Sequence, residues 1–197
     1  MRRYAILGWG SLIWDLDNLA GHVQGDWALG AGSLLPMEFT RLSAKRNMAL
    51  VICLDTVHGV DCSTNVIASR RDAIGGTIED LAQRERAPEA FIGALCLETG
   101  HAQTKRPELL DRVRRWCEAT GWTGAVWTDL PSNFEERLGE PFSVKRALTY
   151  LRSLSDEVLD EAVRYIERAP PATDTPLRRA LGLDPWWVGE AQRLKLK

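Results

Sequence analysis

The sequence predicts an α+β fold, with strands early in the chain and helices in its last third. Short apolar runs bounded by turn residues recur up to residue 69, helical spacing of apolar residues begins at Asp72, and the chain beyond residue 143 carries helical patterns. No repeat or low-complexity linker divides the 197 residues, so we predict a single domain over 1–197 with a helical C-terminal extension over about 143–197. Strand-to-helix alternation between residues 34 and 130 leaves an α/β label as the alternative.

The first predicted elements are strands. Residues 4–7, YAIL, form a short apolar run that ends at Gly8, which is typical of a buried strand. Similar apolar or alternating runs predict strands at 34–43, 48–55 and 64–69. We expect all four strands to belong to one sheet.

The later elements follow from helical spacing and from start and stop residues. An apolar stripe that includes Ile74 and Ile78 predicts a helix over about 72–86. Further predicted elements are a strand at 90–98, a helix at 107–121 ended by Gly121, a strand at 123–131, and helices over FSVKRALTYLRSL, after Ser155 and from Thr175-Pro176. Trp186 and Trp187 are expected to pack in the core, with a partner contact as the alternative.

Composition excludes several classes of function. The formal net charge is −2, with 25 basic and 27 acidic residues scattered along the chain, so no basic surface for nucleic acid is expected. Asp15 and Asp17 interrupt the apolar N-terminal run before it reaches membrane-spanning length. We therefore expect a cytoplasmic protein with neither a nucleic acid nor a membrane as its partner.

Cysteine and histidine spacing argues against disulfides and metal. Cys53, Cys62, Cys96 and Cys117 are widely separated and mostly apolar in surroundings, which favours buried free thiols. The three histidines show no H-x-x-x-H or H-E-x-x-H spacing. We expect no metal and no cofactor. A cysteine-dependent amidohydrolase is disfavoured, because Cys53 lies inside an apolar strand.

The segment after the first strand, GWGSL at residues 8–12, is a candidate binding loop. Glycines at both positions allow backbone dihedrals that point successive N–H groups together, and such a nest suits a carboxylate. A dinucleotide-binding loop needs a third glycine where this chain has Ile13. The alternative is structural: Gly8 and Gly10 form a tight turn, with Trp9 and Trp14 in the core.

Glu85 is the candidate catalytic carboxylate. At about 100° per residue, it returns to within about 20° of Ile74 and Ile78 on the helix surface, so it continues the apolar stripe. Burial without a partner makes a carboxylate more basic, as proton abstraction near neutral pH requires. Glu79 and Asp80 are expected on the solvent face. The alternative is a helix-end glutamate that is exposed or tied to an arginine, namely Arg84, Arg86 or Arg41.

Three segments resemble one enzyme family. GWGSL resembles the YGSL loop of γ-glutamylcyclotransferases, including the glutathione-degrading ChaC branch, with Trp9 in place of the family's tyrosine. LAQRE, which ends at Glu85, resembles the segment that carries the catalytic glutamate of the ChaC-type enzymes. The pattern F-x-R-x-S-x-x-R at Phe39–Arg46 is similar to the strand that follows the substrate loop. Together the segments cover about residues 4–86.

The resemblance implies a γ-glutamylcyclotransferase-like mixed β-sheet or barrel with flanking helices. It implies a cofactor-independent enzyme that cyclises a small γ-glutamyl substrate to 5-oxoproline. Glu85 would be catalytic, and the substrate-binding residues would be Gly8, Trp9, Gly10, Ser11, Leu12 and Arg41. The leaving amine stays open between glutathione, another γ-glutamyl peptide and a γ-glutamylamine. The alternative function is a non-catalytic binding protein for a small acidic ligand on the same fold.

Overall fold

The computed structural model describes residues 2–195, and its contacts divide them into two compact units. The first unit contains the described residues up to Leu35 together with Ser63–Leu130. The second contains Pro36–Cys62 together with the described residues from Pro131 onward. Mixed helices and strands confirm the α+β class. The single domain over 1–197 stays a prediction, and its ends, residues 1 and 196–197, lie outside the described residues.

Within residues 2–195, the six predicted strands and five predicted helices are present in the predicted order, together with three strands and two helices that the sequence did not predict. The strands are β1 (Tyr4–Gly8), β2 (Val23–Ala28), β3 (Leu34–Ser43), β4 (Ala49–Leu54), β5 (Val60–Ser63), β6 (Asn65–Ser69), β7 (Ile92–Cys96), β8 (Ala102–Gln103) and β9 (Gly124–Thr128). The helices are α1 (Ile74–Glu85), α2 (Leu110–Thr120), α3 (Phe134–Leu138), α4 (Val144–Arg152), α5 (Asp156–Arg168), α6 (Pro176–Leu183) and α7 (Pro185–Lys195). Four helices therefore occupy the described part of the predicted C-terminal extension.

The first unit is built on a six-stranded mixed sheet in the order β2-β6-β1-β9-β7-β8. β1 pairs parallel with β9 and antiparallel with β6. The register aligns four apolar residues across neighbouring strands: Ile67, Ile6, Val126 and Ala94. These four belong to one buried cluster with Ile78, Leu81 and Ala82 of α1. Helix α1 therefore packs on the sheet face that carries Ile6 of β1, the strand that leads into the 8–12 loop.

The predicted apolar stripe of helix α1 is confirmed, but one residue predicted on its solvent face is buried. The helix ends at Glu85 because Arg86 adopts the left-handed conformation, with φ 53°, and its N–H caps the last turn. The expectation that Asp80 lies on the solvent face is wrong, since this residue is only 3% exposed. Its carboxylate accepts two hydrogen bonds from Arg71, at 2.7 and 2.8 Å, and this pairing compensates the burial of the charge.

The second unit contains a three-stranded sheet in the order β4-β3-β5, apart from the strand-end residues 34–35 and 63. Helix α5 packs against β4 and α7. Glu38 of β3 is fully buried, and its two carboxylate oxygens accept the N–H groups of Phe39 (2.7 Å) and Leu177 (3.0 Å), so it caps the first turn of α6. Trp187 is buried, which confirms core packing for that tryptophan.

The expectation of one sheet for the four early strands is wrong. β1 and β6 lie in the six-stranded sheet, whereas β3 and β4 lie in the three-stranded sheet. The four cysteines are buried free thiols, as the sequence predicts. Within residues 2–195, no helix combines the length and apolar character needed to cross a bilayer.

Candidate active site

The loop after β1 has the backbone geometry of a nest. Trp9 is extended, Gly10 has φ 55°, and Gly10–Ile13 forms a short 3-10 helix. The change from a left-handed to a right-handed residue aims successive N–H groups to one side. The N–H groups of Gly10 and Ser11 have no acceptor inside this helix, because the first hydrogen bond of a 3-10 helix runs from its third residue, here Leu12, to the N-cap carbonyl, here that of Trp9. Such N–H groups can bind a carboxylate.

Both loop glycines also have structural reasons. A Cβ at residue 8 would lie 2.3 Å from the ring of Trp27, and the Gly8 carbonyl accepts a hydrogen bond from Asn65 at 3.0 Å. The positive φ of Gly10 favours glycine. Leu12 is buried in the apolar cluster, so its side chain is not available to a ligand. The structural alternative predicted from the sequence is therefore compatible with the same loop geometry.

Glu85 is the last residue of α1, and its side chain is 14% exposed. Its Oε1 atom accepts a hydrogen bond from Nη1 of Arg84 at 2.9 Å. Among the described residues, no hydrogen bond has the other carboxylate oxygen, Oε2, as its acceptor. Glu85 is thus a mostly buried carboxylate with one oxygen held and the other available for a proton.

Arg84 connects this carboxylate to the loop. Its side chain is 4% exposed, and Nη2 donates to the carbonyl of Asp15 at 2.6 Å. The same nitrogen lies 3.5 Å from the hydroxyl of Ser11, at the long limit of a hydrogen bond. The structure therefore brings together the loop and Glu85, the two segments that the sequence singled out.

Sequence reasoning treated Arg84 only as a possible partner of Glu85. Adjacent helical residues point about 100° apart, so periodicity does not predict that their side chains meet. The length of arginine lets the guanidinium bridge both directions. The available signal was the pairing of a basic with an acidic residue at the helix end, next to a stripe of apolar residues.

Arg41 belongs to a different compact unit from Ser11, Arg84 and Glu85. It lies on β3 in the second unit, where Nη1 donates to the carbonyl of Pro131 at 2.5 Å. Ser43, on the same strand, is also partly buried. A substrate-binding role for Arg41 stays a prediction.

A cavity of about 550 Å³ lies in the second unit and contains none of the predicted site residues. It is lined by residues of α3 and α4, among them Phe134, Leu138, Arg146 and Tyr150. The Arg146 guanidinium is already engaged by Glu140 at 2.6 Å. Within residues 2–195, no cluster of three or more His, Cys, Asp or Glu side chains is arranged to bind a metal ion.

Comparison of the chain with protein-family models, with curated proteins and with solved structures finds no significant match.

Proposed function

We propose that this chain is a γ-glutamylcyclotransferase-type enzyme. It cyclises a γ-glutamyl group to 5-oxoproline and releases an amine or an amino acid. The observation that carries the proposal is the bridge made by Arg84. Its guanidinium contacts Glu85 at 2.9 Å and the Asp15 carbonyl at 2.6 Å, three residues beyond the 8–12 loop, and it lies 3.5 Å from the Ser11 hydroxyl inside that loop. We also propose that the α+β architecture is the γ-glutamylcyclotransferase-like fold, since β1, the loop and α1 follow in the order that the resemblance requires.

The chemistry needs one base and a means of holding the substrate. The α-amino nitrogen loses a proton and attacks the γ-carbonyl carbon, which closes a five-membered ring and expels the amine. Glu85 accepts the proton on Oε2, because Arg84 occupies Oε1. Glu85 then returns the proton to the leaving nitrogen. None of these reaction steps requires a cofactor.

The loop supplies the contacts to the substrate carboxylate. Amide N–H groups of Gly10 and Ser11 bind an anion better than side chains on flexible stems, because their geometry is fixed by the backbone. The Trp9 side chain is 8% exposed and keeps an indole N–H where the resembled loops have a hydroxyl. The substrate is therefore held mainly through main-chain donors.

One observation favours a second candidate function, a binding protein for a small acidic ligand. Arg84 already holds Oε1 of Glu85 at 2.9 Å, and this ion pair gives the carboxylate a structural use that needs no proton transfer. A carboxylate that serves only to anchor Arg84 near the loop would fit such a protein. In that case Arg84 and the loop bind the ligand and no turnover follows.

The test measures release of 5-oxoproline from glutathione, γ-glutamyl-alanine and γ-glutamyl-lysine by the wild-type protein and by Glu85→Gln. We expect turnover of at least one compound and a loss of at least roughly a hundredfold in the variant, the size expected for a missing general base. Glu79→Gln is the matched control, because Glu79 lies exposed on the same helix. It should retain wild-type rates.

Two other outcomes would reject the catalytic role of Glu85 or the enzyme function itself. Equal activity of Glu85→Gln and the wild type would show that Glu85 is structural. Binding of a γ-glutamyl compound without product would instead support the binding protein, and calorimetry with each compound measures it directly.

A further inference from the structure

The guanidinium of Arg84 is buried to an extent unusual for a charge. The Arg84 side chain is 4% exposed, and its Nε atom has no hydrogen-bond partner within the described residues. Burying an arginine without satisfying every donor costs free energy, so its presence calls for a compensating role. Replacing it by an apolar residue of similar volume is often tolerated where an ion pair is only structural.

The partners of Arg84 indicate what that role is. Nη1 holds one oxygen of Glu85. Nη2 holds the carbonyl of Asp15, three residues beyond the 8–12 loop, and lies 3.5 Å from the Ser11 hydroxyl inside it. A planar guanidinium fixes these two directions relative to each other, which the single point charge of a lysine ammonium does not. The orientation of the carboxylate is therefore coupled to the position of the loop.

We propose that Arg84 is a positioning residue for the reaction, and this inference rests on the proposed function of Glu85. Arg84 holds Oε1 of Glu85 and the Asp15 carbonyl together, so that Oε2 is the oxygen presented to the substrate amine. It acts through Glu85 and the loop and does not itself contact the substrate. Replacing Arg84 therefore disturbs the alignment of the base with the substrate more than it weakens the binding of the substrate.

Alignment errors act mainly on kcat. A displacement of about 1 Å between a base and its proton reduces the rate by about a hundredfold. We therefore expect Arg84→Ala to lose about a hundredfold in kcat while KM changes by less than about threefold. Arg84→Lys should recover little of this loss, because one ammonium does not reproduce both contacts.

The decisive measurement is chemical rescue. Arg84→Ala is assayed for 5-oxoproline release with and without millimolar methylguanidinium, and circular dichroism confirms its fold. We expect the added cation to raise kcat by at least about tenfold, because it restores the missing hydrogen-bond donors. Arg86→Gln is the matched control: Arg86 is the next residue but one, its side chain is 69% exposed, and it should behave as wild type with no response to the cation.

The outcomes separate this inference from the proposed function. If wild type and variants all lack turnover, the proposed function fails and the positioning role fails with it. If wild type is active and Glu85→Gln is impaired, but Arg84→Ala keeps wild-type kcat or shows no rescue, the positioning role alone is overturned. If Arg84→Ala does not fold, Arg84→Met is used instead: a folded Arg84→Met with wild-type kcat rejects the inference, and one with a selective loss in kcat supports it.

Discussion

The indole ring of Trp27 lies against Gly8, and its Cη2 atom comes within 2.3 Å of the position that a Cβ would occupy at residue 8. This contact places the ring directly against the end of β1, at the start of the 8–12 loop. The start of the loop therefore packs against Trp27 of β2, which lies outside the three segments that resemble the γ-glutamylcyclotransferases.

Gly8→Ala should be destabilising. The added methyl group must displace the Trp27 ring, and overpacking of this kind costs about 1–3 kcal/mol of unfolding free energy. Urea denaturation measures the change. Gly75→Ala on α1 is the control, because a Cβ at residue 75 would meet no neighbouring atom within 4 Å, and it should be neutral or slightly stabilising. Equal effects of the two substitutions would contradict the close approach at Gly8.

Asp129→Asn should be strongly destabilising. The buried carboxylate accepts hydrogen bonds from the Thr104 hydroxyl at 2.7 Å, from the Lys105 N–H and from the Arg106 guanidinium. Removing one charge of a buried pair costs about 3–5 kcal/mol. Denaturant titration measures the loss.

An exposed ion pair is the matched control for Asp129. Arg2 and Glu98 contact each other at 2.6 Å, but both side chains are about half exposed, at 55% and 47%. Glu98→Gln should therefore change stability little. A similar loss in the two variants would mean that the burial of Asp129 does not decide the effect.

Glu38 gives a stability change with a defined pH dependence. Burial raises the pKa of its carboxyl, although the N–H donors of Phe39 and Leu177 oppose the shift. At pH values between the ordinary glutamate pKa and this raised pKa, Glu38 keeps a proton in the native state that it has released in the unfolded chain. Its contribution to stability is complete below the ordinary glutamate pKa of about 4.3 and is lost as the pH rises through the higher native pKa.

Glu38→Gln removes this pH dependence. The amide has a single acceptor oxygen, so one of the two N–H donors loses its partner, at a cost of about 1–3 kcal/mol. Unfolding free energies between pH 4 and pH 8 should fall less steeply in the variant than in the wild type. Identical slopes would contradict the raised pKa.

The buried thiols should be unreactive in the native protein. Burial raises the pKa of the Cys117 thiol to about 12, so roughly one molecule in ten thousand carries the thiolate at pH 8. All four cysteine side chains are buried, so we expect negligible reaction with a disulfide reagent before unfolding and complete reaction in guanidinium chloride. Rapid modification of Cys117 in the native state would contradict its burial.

Elements with a strong apolar period were predictable, whereas their pairing was not. Alternation and length identified β3 and β4 as strands, but apolar patterns carry no information on which strand lies beside which, and the two belong to a separate sheet. β2 was missed because VQGDWA contains Gly25, at φ 74°, and buries only Val23 fully. β5 was missed because it lies in a turn-rich segment.

The candidate site was predictable as segments and not as contacts. The glycines of the loop and the position of Glu85 on α1 are visible in the sequence, because both depend on local spacing. The burial of Asp80 and the bridge made by Arg84 depend on groups elsewhere in the fold. No local pattern specifies such long-range partners.

The interleaving of the two units affects how the chain is made. Residues 36–62 leave the ribosome early, but the helices of their unit follow only after residues 63–130 have been synthesised. At about 5–20 residues per second, the strands β3 and β4 wait several seconds for those helices. During this interval the nascent chain exposes apolar strand surface, so we expect its yield in cells to depend on chaperones that bind nascent chains.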